Sequence, residues 1–542
     1  MPEETKIPDV YGPGTHTDKT FVPVPQDTER IFRLIASETP GFTQDEAILS
    51  KVKFTGEDFP VIPGPIKAVS VAAALHAMAG VLADEILTIR GAEDKNRQIT
   101  VNTTHAGFWL GTIAAAHVGG EDVVSLYRAT ALYPTANPEV WYSLHGSMDA
   151  PPVLKSIGVD PNDTEANQSK EAAAAHIAKH TSKISPEQLE MTNLLNGLCG
   201  SICFTPEQWN NSSMGKSLAA HPLINSKPLC PSVKTGPVAF PPLDPNDKRP
   251  LAGVRVLELT RVIAGPQIST LLSSMGADVI RLTLNAGKRT IALDLRKPAD
   301  AALLQSLVQD ADVFVQGFRL GKMAKYGLAQ DDIVAMAAAR GRGIVYVSEN
   351  CYGPDGYYAE RPGWQQIADA AAGSAYVTGR SLNLPNNEAV LPSLPVSDMT
   401  CGLLGAVGTL KALRDRATKG GSYAVHSSLV AVNTYALRPE VGLYPKEIVK
   451  ECADRFQWAE MRGSHHVLDL LVTIYDGWKR VLGAYLEENS GWFQSFEKSA
   501  FGGDRLSLLK PVVSFSDKES TPEWRTPSLP YAALKAEEVK FK

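Results

Sequence analysis

From about Ala252 the chain alternates short β-rich runs with amphipathic stretches, and this rhythm restricts the fold more than any other feature of the sequence. GVRVLELT predicts a strand, AGPQISTLLSSMGA a helix closed by Gly276, and DVIRLT the next strand. RTIALDL reads as a further strand, after which Pro298 opens the helix ADAALLQSLVQDA and DVFVQGF follows as a strand. A last helical segment up to Gly343 leads into GIVYVSENCYG. Strands joined through helices by connections of a few residues form a parallel sheet covered on both faces. Residues 250–445 are therefore expected to fold as an α/β, Rossmann-like parallel sheet with flanking helices.

The flanking regions read differently. Residues 227–249, KPLCPSVKTGPVAFPPLDPNDKR, are too rich in proline to continue a helix and read as an extended linker. Residues 1–226 are mainly helical in pattern. IKAVSVAAALHAMAGVLADEILTI predicts a buried helix and QITVNTTHAGF a strand entering another helix. The order helix, charged loop, strand, helix recurs as MTCGLLGAVGTLKALRDR, ATKGGS, YAVHSSLV and the helix beyond. This pattern fits a diverged second copy in the N-terminal half, and two unrelated α/β units would give it too. Residues 446–542 hold further helices, the aromatic turn GWFQSF, and a tail with Pro522, Pro527 and Pro530 expected to wrap the surface.

Composition narrows the function. A chain of 542 residues can bury two or three full cores without disulfides or metal. The formal net charge of −6 draws no polyanion, so nucleic-acid binding has no support. The six cysteines (Cys199, Cys203, Cys230, Cys351, Cys401 and Cys452) form no CxxC pair, which fits a reducing compartment. MPEETKIPDV is neither a secretory signal nor an Arg-rich transit peptide, and EEVKFK carries no address signal. No apolar run is read as reaching the roughly 18 residues of a membrane span. A cytoplasmic protein without membrane attachment is the expectation.

Each candidate motif also has a plain structural reading. TRVIAGP ends a strand and enters a helix, offering free amides to a phosphate or an adenine, but it lacks GxGxxG, so NAD or FAD is disfavoured. NAGKRT lacks the upstream glycine of a phosphate loop and leads into a strand. Lys288 and Arg289 there read either as phosphate contacts or as a solvated pair. His176 and His180 share a helical face without a glutamate between them or a third ligand nearby, and His465 and His466 point apart, so no metal site is expected. GxSxG is absent. Asp398, in LPVSDMTCGLLGAVGTLKAL, reads by spacing as an N-cap.

Several segments together resemble the CaiB/BaiF family, the class III CoA-transferases, which include formyl-CoA transferases and α-methylacyl-CoA racemases. GVRVLELTRVIAGPQISTLLSSMGADVIRL is similar to the family's opening strand, AGP turn and first helix, and GKRTIALDL to its Lys-Arg-Ser-Ile-x-Leu-Asp signature. DVFVQGFRLGKMAKYGL follows the Asn-Phe-Arg-Pro-Gly segment. VYVSENCYGPDGYY, RPGWQQIADAAAG and VSDMTCGLLGAVGTLKALRDRATKGG complete a series in family order from about Ala252 to Leu437. The resemblance implies that Asp398 is the catalytic nucleophile, held ionised by the helix start. It implies coenzyme A contacts from Arg261, Val262, Ile263, Ala264, Lys288, Phe318, Arg319, Lys325 and Asn350, with Arg261, Lys288 and Lys325 supplying charge for the phosphates. It further implies acyl-CoA and a carboxylic acid as substrates, with no tightly bound cofactor.

The chain also departs from the family pattern. RLTLNAGKR is too short for the usual Arg-containing loop, and Gly317 and Leu320 replace an Asn and a Pro. Trp364 stands where the racemases carry a catalytic histidine, which disfavours racemisation. WYSLHGSMDAPPVLKSIGVD and TPEQWNNSSMGKSLAAHPLI resemble the family's smaller domain and the stretch after it, here ahead of the Rossmann part. A second copy would have no nucleophile at its matching position, near Val71 to Ala74. The assembly expected is a homodimer or a pseudo-dimer within one chain. The readings that follow are a CoA-transferase first, then an acyl-CoA isomerase or lyase with Asp398 as base, then a non-catalytic CoA-binding protein.

Overall fold

The computed structural model describes residues 5–112, 129–163, 168–229, 235–281, 286–319, 321–500, 503, 505–530, 533–534 and 539–541. Cys230, Leu320 and residues 282–285 of the short RLTLNAGKR segment lie outside the described residues.

After two short strands and two helices, the N-terminal region forms β1 (Val52–Thr55), α1 (Ala68–Ile89), β2 (Ile99–Asn102) and α2 (Thr103–Leu110). Helix α1 is apolar all round and nearly every side chain from Ala68 to Leu87 is buried, so it packs as a central core helix. By length and composition it could cross a membrane, which corrects the expectation that no stretch is long enough, but 94% of its most apolar window is buried in the fold. Three antiparallel strands follow, β3 (Ala131–Pro134), β4 (Trp141–His145) and β5 (Cys199–Ile202), in that order across their sheet. Strand β6 (Asn225–Pro228) runs into the first residues of the proline-rich stretch, so that stretch does not begin as a free linker.

The βαβ region folds as expected. It comprises β7 (Arg255–Leu259), α3 (Ala264–Ser274), β8 (Asp278–Arg281), β9 (Arg289–Thr290), α4 (Pro298–Asp310), β10 (Val313–Gln316), α5 (Gln330–Ala339), β11 (Val345–Asn350), α6 (Val396–Lys419), β12 (Tyr423–Ser428) and α7 (Leu429–Ala436). The seven-stranded sheet has the order β9-β8-β7-β10-β11-β12-β6 and is parallel except for its antiparallel edge strand β6. Chain order reverses between β7 and β10, and such a switch point opens a crevice at the carboxyl ends of the strands. RTIALDL forms only a two-residue strand; beyond it Ile291 still donates to the Arg281 carbonyl at 2.8 Å and also bridges Leu534 of the C-terminal tail.

Two pairings tie the halves together. Strand β6, from before the proline-rich stretch, pairs antiparallel with β12, and β13 (Val513–Phe515), from the C-terminal tail, pairs antiparallel with β2. The tail therefore does more than wrap the surface.

Helices α3 and α6 cross closely, and glycines make the crossing feasible. A Cβ on Gly402 would stand 2.7 Å from the Ala264 carbonyl oxygen, and one on Gly405 would stand 2.6 Å from Ile268 Cδ1. The obstacles at Gly402 are Gln267 Cβ, which is nearer still, and the Ala264 carbonyl, neither of which can move aside cheaply. Gly402→Val is expected to destabilise the fold by about 1–3 kcal/mol. The measurement is the urea midpoint, which should fall at unchanged slope; an unshifted midpoint contradicts this packing.

Candidate active site

The site begins where β7 ends. Its last buried carboxylate, Glu258, is sealed from solvent and accepts hydrogen bonds from Thr260 Oγ1 and Ser269 Oγ, and from Lys288 Nζ at 2.8 Å. Arg281 Nε lies 2.8 Å away as a second cation. These partners hold the Glu258 carboxyl below its usual range even though burial alone would raise it. Lys288 Nζ also donates to the Pro266 carbonyl at 2.7 Å, which binds the network to the first turn of α3.

Above this network the chain makes a strained turn. Val262 has φ 66°, a left-handed conformation that is uncommon for a β-branched residue and costs on the order of 1–3 kcal/mol. Its side chain is 55% exposed, so burial does not compensate the strain. The clamped residues on either side hold Val262 at the lip of a cleft of about 450 Å³.

The cleft lies at the carboxyl ends of the strands. The β7–α3 turn (Arg261, Val262, Ile263, Ala264) forms one wall, and Gly317, Arg319, Glu349, Asn350, Asp398 and Leu429 continue it. Facing them, His145–Asp149 and Gly197–Cys199 come from the β3-β4-β5 sheet of the N-terminal region, and Arg361–Trp364 close one end. The opposing wall is braced by Arg361, ion-paired with Glu190 and donating to the Gly200 carbonyl at 2.7 Å. Trp364 stacks on His145 at 5.4 Å and donates from Nε1 to Ser147 Oγ at 3.2 Å. Burial lowers His145 to about 3, so it is neutral.

Seven of the ten residues expected at a site thus line one cleft: Asp398, Arg261, Val262, Ile263, Ala264, Arg319 and Asn350. Asn350 is also engaged in its own loop, donating to Gly353 O at 2.7 Å and accepting from Gly353 N at 2.8 Å. The other three stand elsewhere. Lys288 is 0% exposed and neutralises Glu258, so the expected phosphate contact is not available to it in this conformation. Lys325 is exposed, with Nζ 4.8 Å from the centroid of the Tyr326 ring, and Phe318 is exposed beside the cleft without lining it.

Asp398 also differs from its expected role. Pro395 is the N-cap of α6 and Asp398 is the third residue of the helix, with no side-chain capping bond. It is half-buried at the cleft wall. Its carboxyl is raised well above the usual range, first by burial and then by Glu349 and Asp369, so the helix start does not by itself keep it ionised. Behind it, Asp369 accepts from Ser397 Oγ and Asn433 Nδ2 at 2.9 Å and from Gln365 Nε2 at 3.0 Å, yet burial pushes it up to about 6. Glu349, also on the cleft wall, is pushed up to about 7 by burial. Glu349, His145 and Arg361 lie inside the family-like segments VYVSENCYGPDGYY, WYSLHGSMDAPPVLKSIGVD and RPGWQQIADAAAG, but the sequence alone did not single them out. Among the described residues, no group of three or more His, Cys, Asp or Glu side chains is arranged to hold a metal.

With this geometry established, comparison identifies the class. The family model for CoA-transferase family III matches residues 251–283 and 281–475. An acyl-CoA transferase of Gibberella moniliformis is 43% identical over 557 residues, covering 96% of this chain and 97% of that protein. An acetyl-coenzyme A transferase, nodX, of Hypoxylon pulicicidum is 30% identical over 542 residues, 91% of this chain and 90% of that protein. The succinyl-CoA–L-malate CoA-transferase beta subunit of Chloroflexus aurantiacus is 32% identical over 227 residues, 36% of this chain and 54% of that protein. The chain belongs to CoA-transferase family III, the CaiB/BaiF class, and is an enzyme of that class.

The role of Lys288 has a direct check. Lys288→Met leaves Glu258 short of one buried partner and is expected to destabilise the fold by roughly 3–5 kcal/mol. Chemical denaturation reads this; full stability with a raised KM for acyl-CoA would restore the phosphate-contact role.

Proposed function

We propose that this chain transfers coenzyme A from an acyl-CoA to a carboxylic acid, with Asp398 as the covalent nucleophile. The observation that carries this reading is the position of Asp398: in the first turn of α6, on the wall of a cleft at the carboxyl ends of a parallel sheet. Ionised Asp398 attacks the thioester carbonyl, the C–S bond breaks, and the thiolate leaves with the electron pair. The resulting mixed anhydride is attacked at the aspartyl carbonyl by the thiolate, which releases the donor acid and leaves an aspartyl-CoA thioester. The acceptor carboxylate then attacks the aspartyl carbonyl, breaking its C–S bond and expelling the thiolate to give a new anhydride, and the thiolate attacks the acceptor's acyl carbon and regenerates Asp398. Each step exchanges one activated acyl group for another, so no ATP is consumed.

Arg261 and Arg319 are exposed on the cleft wall and, among the described residues, have no ion-pair partner. They are suited to the phosphates of coenzyme A. The racemase alternative is weakened by Trp364, whose indole is committed to Ser147 and cannot shuttle a proton at an α-carbon.

The N-terminal half is read as a diverged copy that acts as the second subunit. In support, β2 has a parallel neighbour on one side and an antiparallel neighbour on the other and runs directly into α2, just as β12 does into α7. No carboxylate occurs from Ala68 to Ala74, which leaves one nucleophile per chain.

Incubation with acyl-CoA followed by hydroxylamine should convert Asp398 to its hydroxamate, detected by peptide mass, while Asp398→Asn lowers kcat at least about 10³-fold. Exchange of an α-proton without trapping would instead make Asp398 a base. Arg261→Ala and Arg319→Ala should each raise the KM for acyl-CoA about tenfold at constant kcat, the loss of one charge-assisted contact. An unchanged KM would move the phosphates elsewhere.

A further inference from the structure

We propose that Glu349 is a second catalytic residue of this cleft, carrying a proton and donating it as a hydrogen bond to the thioester carbonyl oxygen while Asp398 attacks. The inference rests on the reading of Asp398 as nucleophile.

The geometry comes first. Glu349 is the penultimate residue of β11 and lines the same cleft as Asp398. Its carboxyl occupies space that only a glycine leaves free: a Cβ on Gly317 would stand 2.5 Å from Glu349 Oε1. Any side chain at 317 would displace that carboxyl. Among the described residues, neither Glu349 nor Asp398 has a hydrogen-bond or ion-pair partner, whereas Asp369 behind them has three donors.

The charges around the pair are mostly unhelpful to a second anion. Asp398 and Asp369 are acidic, and the Cys351 and Cys401 thiols are kept protonated by burial. Of the cations, Arg361 is held by Glu190, while Arg261 and Arg319 are exposed and meet solvent. Two unpaired, half-buried carboxyls on one cleft wall disfavour ionising together, so the pair keeps one proton near neutrality. Glu349 is raised to about 7 and Asp398 is raised partly by Glu349 itself. Asp398 attacks only as the anion, so the productive state has the proton on Glu349. A neutral carboxylic acid in an enclosed site is a hydrogen-bond donor for developing negative charge. The bond formed is from Asp398 Oδ to the acyl carbon and the bond broken is C–S; Glu349 keeps its proton throughout.

The test compares Glu349→Ala, Glu349→Gln and Asp398→Asn across pH 5–9 in the full-length enzyme. Glu349→Ala is expected to lower kcat about 10²-fold with little change in KM, the usual loss of one such donor. Glu349→Gln keeps an N–H donor and should retain kcat within about threefold at neutral pH. It should also lose the alkaline fall in kcat/KM while keeping the acid limb near its wild-type position, because Glu349 is still neutral where Asp398 first ionises. Wild-type kcat in Glu349→Ala, or a wild-type pH profile in folded Glu349→Gln, overturns the inference. An inactive Asp398→Asn beside either result confines the failure to Glu349; an active Asp398→Asn ends the nucleophile reading as well.

Discussion

The close crossing of α3 and α6 is the constraint on which the site depends. Gly402 and Gly405 let the two backbones approach, and that approach brings the first turn of α6, with Asp398, beside the turn that carries Arg261 to Ala264. The same turn is anchored from below by Glu258, whose buried charge is met by Lys288 and Arg281. A buried charge network of this kind contributes little net stability but is expensive to leave incomplete. Here it fixes a conformation at Val262 that the local sequence would not adopt unaided.

The N-terminal half completes the cleft. The β3-β4-β5 sheet supplies the wall facing Asp398, and the β6–β12 and β13–β2 pairings exchange strands between early and late parts of the chain. Arg361, ion-paired with Glu190 and donating to the Gly200 carbonyl, ties that wall to the rest of the cleft. A wall that approaches from a separate unit shields the carboxyls from water, and loss of water raises both Asp398 and Glu349. The chemistry of the site thus follows from its enclosure as much as from its residues.

Much of the fold was legible in the sequence because it is written in local periodicity. The helix of AGPQISTLLSSMGA, the helix opened by Pro298 and the strand in DVFVQGF all occur where the pattern predicts them. RTIALDL shrank to two strand residues, and the bridge from Ile291 to Leu534, far away in the chain, has no trace in local periodicity. Asp398 was singled out by its motif, but its protonation was not legible: N-cap spacing says nothing of a second carboxyl on a strand almost fifty residues earlier. Lys288 was misplaced for a related reason, since only the folded sheet reveals that Glu258 needs a buried cation. Glu349 was missed because VSENCYG reads as the polar end of a strand, and only the absence of a side chain at Gly317 shows where its carboxyl goes.

The central claim is spatial: the sulfur ester meets Asp398 inside this cleft. A crystal structure of the chain with bound coenzyme A tests it most directly. The account predicts the thiol sulfur within about 3–3.5 Å of an Asp398 oxygen, the usual separation of atoms poised to react, with the phosphates toward Arg261 and Arg319. Coenzyme A bound with its sulfur away from Asp398, or in another cavity altogether, would contradict it.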